Sequence, residues 1–184
     1  HYLKRPYTLV PKLAEQVVEP RYYDKAGREL PADAPASQVA EAVYDIDEYV
    51  VDIAKTEGLP QGLRALPEGV SVHMACHARA QNMGTKAAEM LRLIPDTPID
   101  VIERCAGHGG TFGVLKETRP MAVKVGRPVM RQAVSQARGH IVSDCPLAAK
   151  HIMQGARDLA ANDGKSLSAP GPEHPIEILA RAFG

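Results

Sequence analysis

Tryptophan is absent from this chain of 184 residues, and aromatic side chains make up only 4% of it. Any core must therefore be aliphatic, and a 45% hydrophobic content is enough to build one. Cysteine occurs three times. That number is too small, and odd, for a disulfide framework. It points to a reducing compartment, where thiolates serve metals or redox chemistry. An excess of either charge is also missing, with 22 basic and 22 acidic residues. No Lys/Arg block occurs, which excludes a phosphate-tracking nucleic-acid surface. No apolar run approaches the ~20 residues of a membrane span. Neither a Gly-x-Ser-x-Gly elbow nor a paired metalloprotease histidine motif is present, so those hydrolase classes are excluded. The first residue is His1 rather than Met. The chain is therefore expected to be processed, tagged or a piece of a longer protein.

What is present falls into an arm and a domain. Residues 1–37 carry Pro6, Pro11, Pro20, Pro31 and Pro35. These break any long element, so the stretch reads as an extended arm with a short helix at 11–18. A helix is predicted over 37–56, with Ser37 as N-cap and Val39, Val43, Ile46, Val50 and Ile53 at helical spacing. Gly58 and Pro60 stop it. From Val70 the pattern alternates. Strands are predicted at 70–76, 99–105 and 139–145. Helices are predicted at 80–93, 127–137, 147–161 and 176–183. The face Met83, Ala87, Met90, Leu91 and Ile94 is expected to be buried. Pro128 is expected in a first helical turn, where proline is tolerated. Residues 114–125 read as a short helix and loop, and 162–175 as a linker. Strands alternating with helices predict an α/β fold with a parallel sheet and right-handed crossovers.

Each cysteine, Cys76, Cys105 and Cys145, closes a predicted strand and precedes a turn and a helix. In a parallel sheet all strand carboxyl ends lie on one edge, where open α/β sheets bind their ligands. The three thiols are therefore expected to converge, although any one of them alone reads equally as a small buried hydrophobe. The partial positive charge of helix N-termini favours thiolates there, and clustered thiolates suit soft metals. A fourth ligand is sought among His108, His77 and His73. His108 ranks first because the glycine turn at 107–113 lets its backbone approach a bound group. Gly107, Gly109 and Gly110 would offer backbone N–H groups to that group. A phosphate cradle is the weaker reading of the same turn, since no acidic residue ends a following strand to hold a ribose. His140 and His151 read as ordinary, and His1 and His174 as exposed.

Three segments carry a family resemblance: 72–81 (VHMACHARAQ), 104–113 (RCAGHGGTFG) and 143–148 (SDCPLA). Together, over about 38–184, they resemble the cysteine-rich CCG domain found in the B component of heterodisulfide reductase and in the C component of anaerobic glycerol-3-phosphate dehydrogenase. The family pattern is a Cys, then Cys-Cys-Gly, then Cys-x-x-Cys. Cys76, Cys105 and Cys145 match it, but Ala106 and Ala148 stand where two further thiolates would be. The resemblance implies a Rossmann-like CCG domain with a metal site at the strand C-terminal edge. It further implies an iron–sulfur electron-transfer component of an oxidoreductase rather than its catalytic subunit. The reduced donor set implies a [4Fe–4S] cluster, and it equally suits a structural Cys3His zinc site in an interaction module. A redox partner protein or dehydrogenase subunit is expected, with no nucleic acid. The expected location is the cytoplasm, with any attachment to the inner membrane supplied by a partner. Residues 1–37 resemble the tail of a preceding domain.

Overall fold

A computed structural model describes residues 43–184. The predicted arm, the helix at 11–18 and the Ser37 cap lie outside the described residues. Within them, three β-prone runs form parallel strands: β1 (Val70–His73), β2 (Ile99–Ile102) and β3 (His140–Ser143). A short β4 (Pro172–Glu173) completes a sheet of order β2-β1-β3-β4. β1 and β3 are buried at every position, as expected of strands covered on both faces. The fold class predicted from the strand–helix alternation is therefore correct.

The helices are α1 (Ile46–Thr56), α2 (Cys76–Ala80), α3 (Lys86–Leu91), α4 (Arg119–Gln136), α5 (Pro146–Asn162) and α6 (Pro175–Phe183). A 3-10 turn spans Gly110–Gly113. Side chains alternate across the sheet. Val70, Val72 and Val142 pack with Val51, Leu91 and Ile178 under α1, α3 and α6. Ile102 and Ile141 pack with Val129, Ile152 and Met153 under α4 and α5.

Several boundaries differ from the sequence expectation. The strands end at His73, Ile102 and Ser143, so the cysteines lie just beyond them rather than as their last residues. Of the helix predicted over 80–93 only α3 is helical, with α2 ending at Ala80 before it. Asn82 (φ 54) and Gly84 (φ 76) adopt the left-handed conformation between them, which these residues tolerate and a helix does not. Its predicted face is nevertheless buried, from Met83 to Ile94. In α1 the N-cap is Asp45, whose carboxylate accepts the Asp47 N–H at 3.0 Å. The buried residues of α1 are Asp47 and Val51, and Ile46 is 46% exposed. The predicted stripe is therefore turned. Helix α4 runs unbroken across the predicted loop, and Pro128 sits in its interior. Pro128 is exposed, so water can solvate the carbonyl it leaves unpaired. Burial of Ala122, Val129, Met130 and Ala133 holds the helix through it. Strand β4 lies in the predicted linker. Its proline is tolerated because β4 is an edge strand.

His140 and His174 are not as the sequence suggests. The His140 ring bridges Glu173 (2.8 Å) and Glu68 (3.1 Å), and Glu173 also pairs with Arg181 at 2.6 Å. This ties β4 and α6 to the sheet. His174 is half-buried and caps α6 in a reciprocal capping box with Glu177.

Helix α4 presses directly on the turn that follows Cys105. A Cβ on Gly126 would strike the Ala106 carbonyl oxygen, and one on Gly107 (φ 82) would strike the Ala122 carbonyl. Gly126→Ala is expected to cost about 1–3 kcal/mol through this overpacking. Urea unfolding of the variant beside the unmodified chain measures it, and an unchanged midpoint would mean that the contact is soft. No helix among the described residues is long and apolar enough to cross a membrane.

Candidate metal centre

The chain leaves β1 for β2 on one side, then crosses back to β3 on the other. Strand order therefore reverses between β1 and β3, and the crevice beyond their carboxyl ends is the preferred ligand position of such sheets. A cavity of about 300 Å³ lies there. Its walls include Cys76, Cys105 and Cys145, the histidines His73, His77 and His108, and the glycines Gly107, Gly109 and Gly110. Residues distant in sequence thus meet in one place because three parallel strands deliver them to one edge. Ala106 and Ala148 line the same cavity.

The three thiols are free and differ in setting. Cys76 opens α2 and is exposed, with the Arg79 guanidinium 3.8 Å from its sulfur. Cys105 is exposed, and its sulfur accepts the Gly107 N–H at 3.4 Å. Cys145 is the half-buried N-cap of α5, and Pro146 follows it in the first turn. Its sulfur lies 3.5 Å from His108 Nε2. His108 is held from behind by the Gly113 N–H, which donates to its carbonyl. The other ring nitrogen, His108 Nδ1, is buried and has no partner among the described residues. Buried polar atoms are nearly always satisfied, so this unpartnered nitrogen points to a group bound beside it.

The remaining histidines differ in their engagements. His77 is half-buried at the cavity wall, and its ring makes no hydrogen bond among the described residues. His73 is 1% exposed, and both its ring nitrogens are engaged. Nδ1 meets the Ser143 hydroxyl at 3.0 Å and Nε2 meets the Arg104 carbonyl at 2.9 Å. Burial pushes its pKa down, against the opposing pull of the Arg104 carbonyl, so the ring is held neutral.

Among the described residues, no three His, Cys, Asp or Glu side chains stand close enough to hold a single metal ion. A single zinc ion would need its donors within about 2.0–2.3 Å of one point. The donor set instead rings an open cavity in the size range of small-ligand pockets. Three soft thiols, an imidazole nitrogen unpartnered among the described residues and a glycine turn suit a soft metal group.

Three features escaped the sequence reading. Ser143 joins His73 to the Cys145 amide, which donates to its hydroxyl at 3.3 Å. His151, on α5, is 7% exposed, has a buried Nε2 without a partner among the described residues and lies near His108. Burial lowers its pKa. Its spacing of three from Ala148 along a helix was a usable signal. Asp47 is fully buried beside Asp144, the neighbour of Cys145. Among the described residues no other donor reaches either Asp47 oxygen or Asp144 Oδ1, and the two carboxyls share a hydrogen bond. Burial, and secondarily Asp144, push Asp47 up to about 9.

The chain is similar to the C component of anaerobic glycerol-3-phosphate dehydrogenase from Escherichia coli K12, with 32% identity over 128 residues. The same protein of E. coli O157:H7 matches equally. It is also similar to lactate utilization protein A of Geobacillus kaustophilus, 30% identical over 115 residues. The match to the E. coli protein takes in 69% of this chain and 29% of the relative. For the Geobacillus protein the shares are 59% and 42%. The chain thus spans well under half the length of these relatives. The resemblance to the anaerobic glycerol-3-phosphate dehydrogenase component, expected from the three cysteine segments, is present. No family model matches the chain, and no solved structure does.

Proposed function

We propose that residues 38–184 form one CCG-type domain that holds an iron–sulfur cluster and passes electrons within a larger oxidoreductase. The observation carrying this reading is the convergence of Cys76, Cys105, Cys145 and His108 on one open cavity, with His108 Nδ1 buried and unpartnered. In this reading the three thiolates and His108 hold the cluster, of [4Fe–4S] type. Gly107, Gly109 and Gly110 line its edge. When bound, such a cluster supplies one-electron transfer. The chain's own part is to bind it, to exclude water with Ala106 and Ala148, and to set its hydrogen bonds.

The exposed mouth fits a protein partner. Phe112, Val114 and Leu115, close after the glycine turn, and Leu147, two residues after Cys145, are 38–69% exposed. Lys116, Arg119 and Lys124 flank them and make no ion pairs among the described residues. A redox partner protein or dehydrogenase subunit, in the cytoplasm, matches this surface.

Anaerobic loading with iron and sulfide, followed by metal analysis, tests the reading. About four irons per chain are expected, with a broad absorbance at about 400 nm that dithionite bleaches. One zinc per chain without colour would instead make this a structural metal module. His108→Ala is expected to weaken iron retention by about 10-fold or to shift the spectrum. An unaltered spectrum and iron content would move the fourth ligand to His77.

A further inference from the structure

The parallel register places His73 beside Ser143 on adjacent strands, both on the sheet face under α4 and α5. With the ring neutral, their hydrogen bonds have one consistent set of directions. The Arg104 carbonyl can only accept, so His73 Nε2 carries the proton. The neutral ring then accepts at Nδ1, so the Ser143 hydroxyl donates to it. The Ser143 oxygen in turn accepts the Cys145 N–H. The chain of donors therefore runs from Cys145 N–H to Ser143, from Ser143 to His73 Nδ1, and from His73 Nε2–H to the Arg104 carbonyl. Its two ends are the amide of Cys145 and the peptide unit that leads into Cys105.

We infer that His73 and Ser143 are positioning residues. They form a buried relay of fixed direction that sets the spacing between the Cys105 and Cys145 loops, and His73 is not itself a metal ligand. The physical reason is that β2 and β3 are not neighbours in the sheet. No backbone ladder links the two loops directly, and β1 stands between them. A side chain at the end of β1 that reaches both is the shortest available tie. Ser71, the other β1 residue on that face, bonds Gln136 of α4 at 2.6 Å and does not serve. With His73 and Ser143 both buried, losing one leaves the other's polar group unsatisfied and frees one loop relative to the other.

This inference rests on the proposed cluster site for its consequence but not for its geometry, and the test separates the two. Nitrogen-15 NMR of the metal-free full chain reads the His73 tautomer. The expected result is an Nε2–H imidazole that stays neutral when the chain is folded. An Nδ1–H tautomer would overturn the relay whether or not the chain binds metal. In the iron-loaded chain, Ser143→Ala is expected to release iron to a chelator about 10-fold faster. Ser143→Thr, which keeps the hydroxyl, is expected to stay within about twofold of the unmodified chain. If Ser143→Ala does not fold, His73→Gln reads the same linkage and is expected to show the same loss. Unchanged release in a folded Ser143→Ala or His73→Gln chain would sink the spacing role while leaving the cluster in place. A chain that takes up no iron at all would overturn the proposed function and the spacing role with it, and the tautomer would still decide the relay.

Discussion

Cys105→Ser is expected to strip the protein of nearly all its iron while leaving the metal-free fold almost unchanged. The two halves of this expectation have separate causes. Cys105 is exposed and belongs to neither core cluster. Its one contact of note is the Gly107 N–H at 3.4 Å, and a serine hydroxyl can accept that bond too. The change in unfolding free energy should therefore lie within about 0.5 kcal/mol, as for surface substitutions in general. A hydroxyl, however, is a hard and protonated group where a soft thiolate is required. Loss of one of three thiolates from a set that already lacks two should reduce iron retention by at least about 10-fold, the low end for disturbing a metal site. Metal analysis after gel filtration, with urea unfolding of the metal-free chain, reads both. Full iron content in the variant would mean that Cys105 is not a ligand and that the shared site is wrongly drawn.

The second large effect concerns stability and its dependence on pH. Asp47 is fully buried beside Asp144, and its carboxyl is pushed from an ordinary value of 3.8 up to about 9. Burial is the main cause, because a charge here would be desolvated with no donor among the described residues to compensate it. The folded chain thus keeps a proton that the unfolded chain releases between pH 3.8 and about 9. In that window the unfolded state binds fewer protons, so stability falls as pH rises. The contribution is intact below 3.8 and is lost progressively up to about 9. One proton corresponds to about 1.4 kcal/mol per pH unit at most. Asp47→Asn cannot ionise and can still donate to Asp144. It is expected to raise stability at neutral pH by about 2–4 kcal/mol and to flatten the slope between about pH 5 and 8. Denaturant titrations at several pH values decide it. A variant less stable than the unmodified chain at pH 7, or one with the same slope, would show that Asp47 is ionised and paired.

The candidate site was largely legible because its signal is topological. Cys76, Cys105 and Cys145 recur at the same point of three strand–turn–helix units, and a parallel sheet leaves such points no other place than one edge. The glycine turn and His108 follow from the same reasoning. The helix boundaries were less legible because local signals compete with packing. Pro128 reads as a first-turn proline opening a helix at 127, yet α4 starts at Arg119 and runs through it, held by its buried face against α5 and the Cys105 turn. Asn82 and Gly84 carried the opposite signal, a true break, inside a stretch whose apolar spacing stayed helical.

Sequence alone thus determined the α/β class, the parallel sheet, the edge on which the thiols meet and the likeness to the anaerobic glycerol-3-phosphate dehydrogenase component. Each of these follows from periodicity, order and motif, which are properties of the chain read in one dimension. Tertiary structure alone decided what each histidine does. His73, His77 and His108 have the same chemistry and similar sequence settings. One is locked between Ser143 and Arg104, one borders the cavity unbonded, and one keeps a buried nitrogen without a partner. Likewise only the fold brings Asp47 against Asp144. A side chain's role depends on which polar groups reach it and on how far water is excluded, and both are set by contacts between residues distant along the chain.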